Sequence, residues 1–190
     1  MANVNSYTLF MAAPDKTSLD AIVLAAREIL EDDGLVGLTM KAVAQRVGVR
    51  APSLYKRVHD RDDLIRLVAE ASLTDLAGRL NSAETPIELA SKFRAFGHEK
   101  PAAFQLIMAP GSGVPVARFE FGAAASAAVL KLTEELAGKD HALEAARTLT
   151  AWATGFVSME LNGGFNLGGD VERAWQFGVT MILKAISDQE

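Results

Sequence analysis

Six cations fall within a span of 21 residues: Lys41, Arg46, Arg50, Lys56, Arg57 and Arg61, with Asp60 the one acidic residue among them, a local balance of +5. Hydroxyl groups able to donate to phosphate are interleaved with these cations at Thr39, Ser53 and Tyr55. Ammonium and guanidinium groups at this density neutralise phosphates and release condensed counterions, which is the sequence-independent part of binding to duplex DNA. The chain as a whole carries a net charge of −5, so a duplex is attracted to this patch and not to the molecule at large. Solvated helical faces often carry several basic residues with no partner, so charge alone does not decide the matter. The backbone signals around the patch add what charge lacks.

Thr39 is a good helix N-cap, because its hydroxyl accepts a hydrogen bond from an otherwise orphaned backbone N–H. Val43, Ala44 and Val47 follow at three- and four-residue spacing and give a short helix over about 39–46 one apolar face. Gly48 supplies the permissive backbone of a sharp reversal, and Pro52 sits early in the next segment, where a missing N–H does no harm. Leu54 and Val58 anchor a second helix over about 51–58, which leaves Arg50, Ser53, Tyr55, Lys56 and Arg57 on its other surfaces, with Ala51 and Pro52 at the leading end. Two short helices joined by a Gly turn form the unit whose second helix enters the DNA major groove.

Enzymatic chemistry finds no such support. Gly111–Gly113 lacks the spacing of a nucleophile elbow, and the pairs Gly163-Gly164 and Gly168-Gly169 have no following Gly-Lys-Ser/Thr to cradle a phosphate. His59, His98 and His141 lie far apart with no second ligand at metal spacing, so neither a metal nor a cofactor is expected. With no cysteine, disulfides and thiolate metal sites are excluded. The first 16 residues lack a basic start followed by a long apolar run, and no stretch of about 18 apolar residues occurs, so neither a secretion signal nor a membrane span is expected.

The remaining chain, 190 residues with 49% hydrophobic composition, is long enough for a substantial core. Helical periodicity places a first helix over Leu19–Asp32, with Thr17 and Asp20 as a capping pair and Asp32, Asp33 and Gly34 closing it. A long helix follows from Arg61 to about Leu80, and Thr85-Pro86 and Pro101 open two more. Pro110–Pro115 reads as a loop, followed by helices over Val116–Leu136, Ala142–Leu161 and Val171–Ser187. No alternating β pattern appears, so the expected class is all-α: a loose arm over 1–16, a three-helix helix-turn-helix domain over 17–62, and a helical effector-binding and dimerisation domain over 63–190.

The segment GLTMKAVAQRVGVRAPSLYKRVHDRDDL resembles the DNA-binding region of TetR-type bacterial regulators, through Thr39, Ala44, Gly48, Val49, Leu54, Tyr55, Arg61 and Leu64. The match covers about a quarter of the chain, and Trp152–Gly155 with the Glu160–Phe165 run is similar to one type of C-terminal domain in that family. The resemblance implies a cytoplasmic, nucleoid-associated repressor that binds a palindromic operator in double-stranded DNA as a homodimer and is released by a small apolar effector. It implies phosphate contacts for Thr39, Tyr55 and Arg61, and base-facing positions for Lys41, Ser53 and Lys56. His59 stands where many relatives have another residue, which leaves its contact with phosphate open.

Two late segments look too apolar for a monomer surface, and the resemblance makes them the twofold interface, with Leu149, Trp152, Trp175, Val179, Ile182 and Leu183 as its candidates. Phe93, Phe96, Phe104, Met108, Phe119, Trp152, Phe156 and Met159, with Phe121, are the candidates for an effector cavity, and Arg94, His98, Gln105 and Glu120 for its polar contacts. The same aromatic and methionine residues suit ordinary core packing. A helical small-molecule-binding protein without specific operator recognition remains the alternative on sequence grounds.

Overall fold

The computed structural model describes residues 18–188, and the expected arm over 1–16 and the expected cap Thr17 lie outside them. Helix α1 (Leu19–Gly37) is capped by Ser18, whose hydroxyl accepts the Ala21 N–H at 3.1 Å. Ile22, Ala25, Ala26, Ile29 and Leu30 recur at three- and four-residue intervals and are all buried. The helix does not stop at Asp32 as the sequence suggested. It passes through a kink at Gly34, where φ is 67°, a value L side chains rarely adopt, and ends at Gly37.

Helix α2 (Met40–Val47) is capped by Thr39, whose hydroxyl accepts the Ala42 N–H, and it ends at Gly48 in the left-handed conformation (φ 73°, ψ 37°). The Val49 N–H then bonds to the Ala44 carbonyl at 2.9 Å, which satisfies the helix end and reverses the chain. The next segment, expected to be an α-helix over 51–58, is a 3₁₀ helix over Ala51–Lys56. Its bonds run from Ser53 N–H to Arg50 and from Arg57 N–H to Leu54, three residues back. In so short a piece 3₁₀ turns are common, and the segment still buries Leu54, as well as Val58 just beyond its end, completely.

Asp60 caps the long helix α3 (Arg61–Asn81), which begins in the head and continues without a break into the rest of the molecule. Helices α4 (Pro86–Glu99), α5 (Pro101–Met108), α6 (Phe119–Ala137), α7 (Ala142–Leu161) and α8 (Val171–Ser187) follow. Thr85 caps α4 as its sequence signal indicates. Helix α6 starts three residues later than expected, because the Arg118 N–H is drawn to the Glu70 carboxylate on α3 and holds the chain extended there.

One hydrophobic cluster runs from Ile22 of α1 to Ile186 of α8, so head and body share a core. The junction is also polar: Glu31 of α1 accepts the N–H groups of Ala102 and Ala103, both at 3.0 Å, and so caps α5. In the body, α6 packs along α3 and α7, while α4 packs on α7 and α8, which also meet each other. Gly97 permits the α4–α7 approach, since a Cβ there would sit 2.5 Å from Val157 Cγ1.

Candidate nucleic-acid interface

The sequence-level patch separates into two groups once folded. Lys41, Arg50, Lys56 and Arg57 are exposed, and none has a carboxylate partner among the described residues. Arg46 is exposed but already engaged, with its guanidinium on Glu28 at 3.2 Å and Asp32 at 3.0 Å, both on α1. Arg61 turns inward. Its Nε donates to the Leu38 carbonyl at 2.8 Å and its Nη2 to the Leu35 carbonyl at 2.5 Å. These two donors tie the start of α3 to the α1–α2 turn, a role beside the phosphate contact expected of the half-buried Arg61.

Tyr55 projects with half its surface exposed, beside exposed Pro52 and half-buried Ala51 and Ser53. The Thr39 oxygen accepts from Ala42, which leaves its own proton free for an outside acceptor. His59 is exposed, and its backbone N–H bonds to Asp63 at 2.9 Å. Asp63 also binds Arg66. Burial alone would raise the Asp63 pKa, but these two hydrogen bonds outweigh it and hold the carboxyl below its ordinary value. The chemistry on offer is four cations without carboxylate partners among the described residues, a phenol and two aliphatic hydroxyls, on a head whose Leu54 and Val58 are fixed in the core.

In the body, an inner cavity of about 210 Å³ is walled by Leu76, Leu80, Leu89, Phe93, Met108 and Val129, among others. It adjoins a wider groove of about 1060 Å³, with which it shares Leu73, Ile107, Met108 and Thr150 among others. Of the effector-cavity candidates, Phe93 and Met108 line this space, and Phe119 stands exposed at the groove. Phe96 and Phe104 are instead buried core residues that line neither cavity. Trp152 and Phe156 belong to an aromatic stack with Trp175 and Phe165, and Met159 is an exposed residue of α7.

The supposed polar contacts Arg94 and His98 converge on Glu160, the first with two bonds at 2.9 and 2.6 Å, the second at 3.0 Å. Arg94 also lies over the Trp175 ring, 5.0 Å from its centroid. These residues form a clamp joining α4, α7 and α8. Gln105 bonds to the Ala109 carbonyl, and Glu120 pairs with Arg118 at 3.5 Å. Phe121 packs under the same guanidinium.

Three of the interface candidates, Leu149, Trp175 and Val179, are buried within the protomer and cannot meet a partner directly. Trp175 stacks on Trp152 with ring centroids 4.9 Å apart, and Trp152 in turn rests on Gly178, where a Cβ would come within 2.3 Å of the ring. Ile182 and Leu183 are half-buried. The apolar side chains that α7 and α8 do present are Leu143, Met159, Phe177 and Met181, the third of them 68% exposed. Periodicity flagged the helices but not the outward face, because tryptophan and phenylalanine look alike in an apolar count. Among the described residues no group of three or more His, Cys, Asp or Glu side chains is placed to hold a metal, and no helix is long and apolar enough to cross a membrane.

Comparison with known proteins agrees with this layout. The model of the bacterial regulatory proteins of the tetR family matches residues 22–68, and that of the tetracyclin repressor-like C-terminal domain matches residues 87–182. The HTH-type transcriptional regulator Rv0681 of Mycobacterium tuberculosis is 29% identical over 163 residues, spanning 80% of this chain and 74% of that protein. The class C tetracycline repressor protein of Escherichia coli is 38% identical over 60 residues, 32% of this chain and 27% of the repressor. In fold, the regulatory protein SCO4313 superposes with a TM-score of 0.75 at 21% identity, over 87% of this chain and 94% of its own. A TetR of Acinetobacter baumannii AYE, in complex with minocycline, does so with a TM-score of 0.64 at 19% identity, over 88% and 95%. With family models matched in both its head and its body, the chain belongs to the TetR family: it is an all-α, helix-turn-helix DNA-binding regulator of transcription and not an enzyme.

Proposed function

We propose that the protein is a dimeric repressor that binds a palindromic operator and is released from it by a small, largely apolar effector. The observation that carries this reading is the exposure of Lys41, Arg50, Lys56 and Arg57, without carboxylate partners among the described residues, on a head pinned by Leu54 and Val58. Phosphate neutralisation falls to Arg50 and Arg57, with Thr39 and Tyr55 donating hydroxyl bonds, while Lys41, Ser53 and Lys56 read base edges. His59 sits beside them, free to approach phosphate with its ring.

The apolar face of Phe177 and Met181 on α8 supports a twofold interface, since exposed aromatic and methionine side chains four residues apart on one helix favour burial against a second copy. Twofold symmetry would present two heads to half-sites about 34–36 Å apart or a multiple of that spacing. The groove beside α3 supports the effector role, because a ligand bound there touches the helix that enters the head. Its effect on DNA affinity is bounded by its differential affinity for the two arrangements of the dimer. Such a regulator acts in the bacterial cytoplasm.

Gel shift of the full chain on DNA from upstream of its own gene, at stated salt, tests the reading. Retarded bands that persist over excess random DNA are expected. Equal competition by random DNA would leave a small-molecule-binding protein without operator recognition.

A further inference from the structure

The inner cavity of about 210 Å³ has no ionic side chain in its wall. Its polar side chains are two hydroxyls, Ser126 on α6 and Thr150 on α7, which also border the wider groove. Ser126 Oγ donates to the Gly122 carbonyl at 3.0 Å. The Thr150 hydroxyl has no hydrogen-bond partner among the described residues, so its proton and lone pairs are both on offer. Phe93 and Met108 add a ring and a polarizable sulfur to a mostly aliphatic wall, and both favour aromatic neighbours. Thr154, one turn along α7 from Thr150, meets Met108 Sδ at 3.9 Å, so Thr150 and Met108 stand about 6 Å of helix rise apart. Gly122 of α6 borders cavity and groove, although glycine weakens a helix and no neighbour requires it: a Cβ there would meet nothing from the surrounding fold within 4 Å.

An apolar cavity of about 150 Å³ holds a benzene ring, so about 210 Å³ suits about eight or nine non-hydrogen atoms. An ion placed there would lose its hydration with no opposite charge in the wall to replace it. We propose that the inner cavity takes a small uncharged aromatic alcohol, its ring beside Phe93 and Met108 and its hydroxyl bonded to Thr150. Leu73, Leu76 and Leu80 in the same wall belong to α3, so the occupant presses on the helix that enters the head. This site rests on the reading of the protein as an effector-responsive regulator, and names the effector's chemical class.

Titration calorimetry on the full chain with 2-phenylethanol, ethylbenzene, 2-phenylethylammonium and phenylacetate tests it. 2-Phenylethanol should bind about tenfold or more tightly than either ion. Thr150→Val should weaken 2-phenylethanol about three- to tenfold, the share of one neutral hydrogen bond, and leave ethylbenzene unchanged. Gly122→Leu, whose new side chain has room, should keep the helical circular dichroism of the wild type and bind neither neutral probe. 2-Phenylethanol should also release the wild-type protein, but not Gly122→Leu, from its upstream DNA. Either ion binding as tightly as 2-phenylethanol, an unchanged 2-phenylethanol affinity in Thr150→Val, full binding by a folded Gly122→Leu, or binding that leaves DNA affinity unaltered would overturn the proposal. Specific DNA binding by a chain that takes up neither neutral probe would overturn the site and spare the regulator. Thr150-dependent binding of 2-phenylethanol by a chain without operator recognition would do the reverse.

Discussion

Replacing Arg61 by alanine separates two roles that the sequence alone cannot tell apart. In the fold its guanidinium gives two hydrogen bonds to backbone carbonyls, at 2.8 Å to Leu38 and 2.5 Å to Leu35, from a partly buried position. Hydrogen bonds from charged donors contribute about 1.5–3 kcal/mol each. Water can reach part of this site and replace some of that, so the expected loss is about 2 kcal/mol. For a protein of this size that lowers Tm by about 4–8 °C. Thermal unfolding followed by circular dichroism measures the shift. DNA binding well below Tm keeps the wild-type salt dependence where the inward role is the only one. Loss of a direct contact instead flattens the slope of log K against log salt by about 0.9 per phosphate. An unchanged Tm together with a slope reduced by that amount would refute the inward role of Arg61.

Lys56→Ala should weaken binding to the operator by about 1–3 kcal/mol, roughly tenfold to a hundredfold, with a smaller effect on random DNA, as fluorescence anisotropy on both DNAs would show. Phe177→Glu should yield folded monomers in sedimentation velocity, because the side chain is exposed in the protomer, whereas Trp175→Glu should unfold the protomer itself. Glu160→Gln should destabilise by about 2–3 kcal/mol at neutral pH, since it leaves Arg94 with only the exposed Glu172. Burial pushes the Glu160 and Glu70 carboxyls up, but the arginine hydrogen bonds win and hold both below their ordinary value. A lowered folded pKa makes this stabilisation complete above the unfolded value of about 4.3 and progressively lost as pH falls below it. Acid unfolding of Glu160→Gln should therefore show a weaker loss of stability over that range than the wild type, and equal acid sensitivity would argue against the clamp.

Most of the helices could be read from the chain because their signals are local. Thr39 and Thr85 cap helices where their signals place them, and α7 and α8 run over the residues that their apolar periodicity marks. The recognition segment differs in type from the helix its pattern suggests, because so short a piece can bury Leu54 in either kind of turn. The site was legible in composition but not in direction. Nothing local distinguishes Arg61, drawn to carbonyls 23 and 26 residues back, from Arg57, which faces water. The same holds for Glu70, whose partner Arg118 lies 48 residues on, and for Trp175, whose burial depends on Trp152 and Arg94. Long-range pairing decides where such side chains point, and a periodic pattern records only which helix they occupy.

Salt dependence of binding to DNA from upstream of the gene tests the nucleic-acid interface most directly. Four exposed cations per protomer, Lys41, Arg50, Lys56 and Arg57, are doubled in a dimer. If about half of them sit on phosphates, log K should fall against log salt with a slope of about −4, and binding should stay tighter than to shuffled DNA throughout. An affinity indifferent to salt, or no preference over shuffled DNA at any salt, would contradict it.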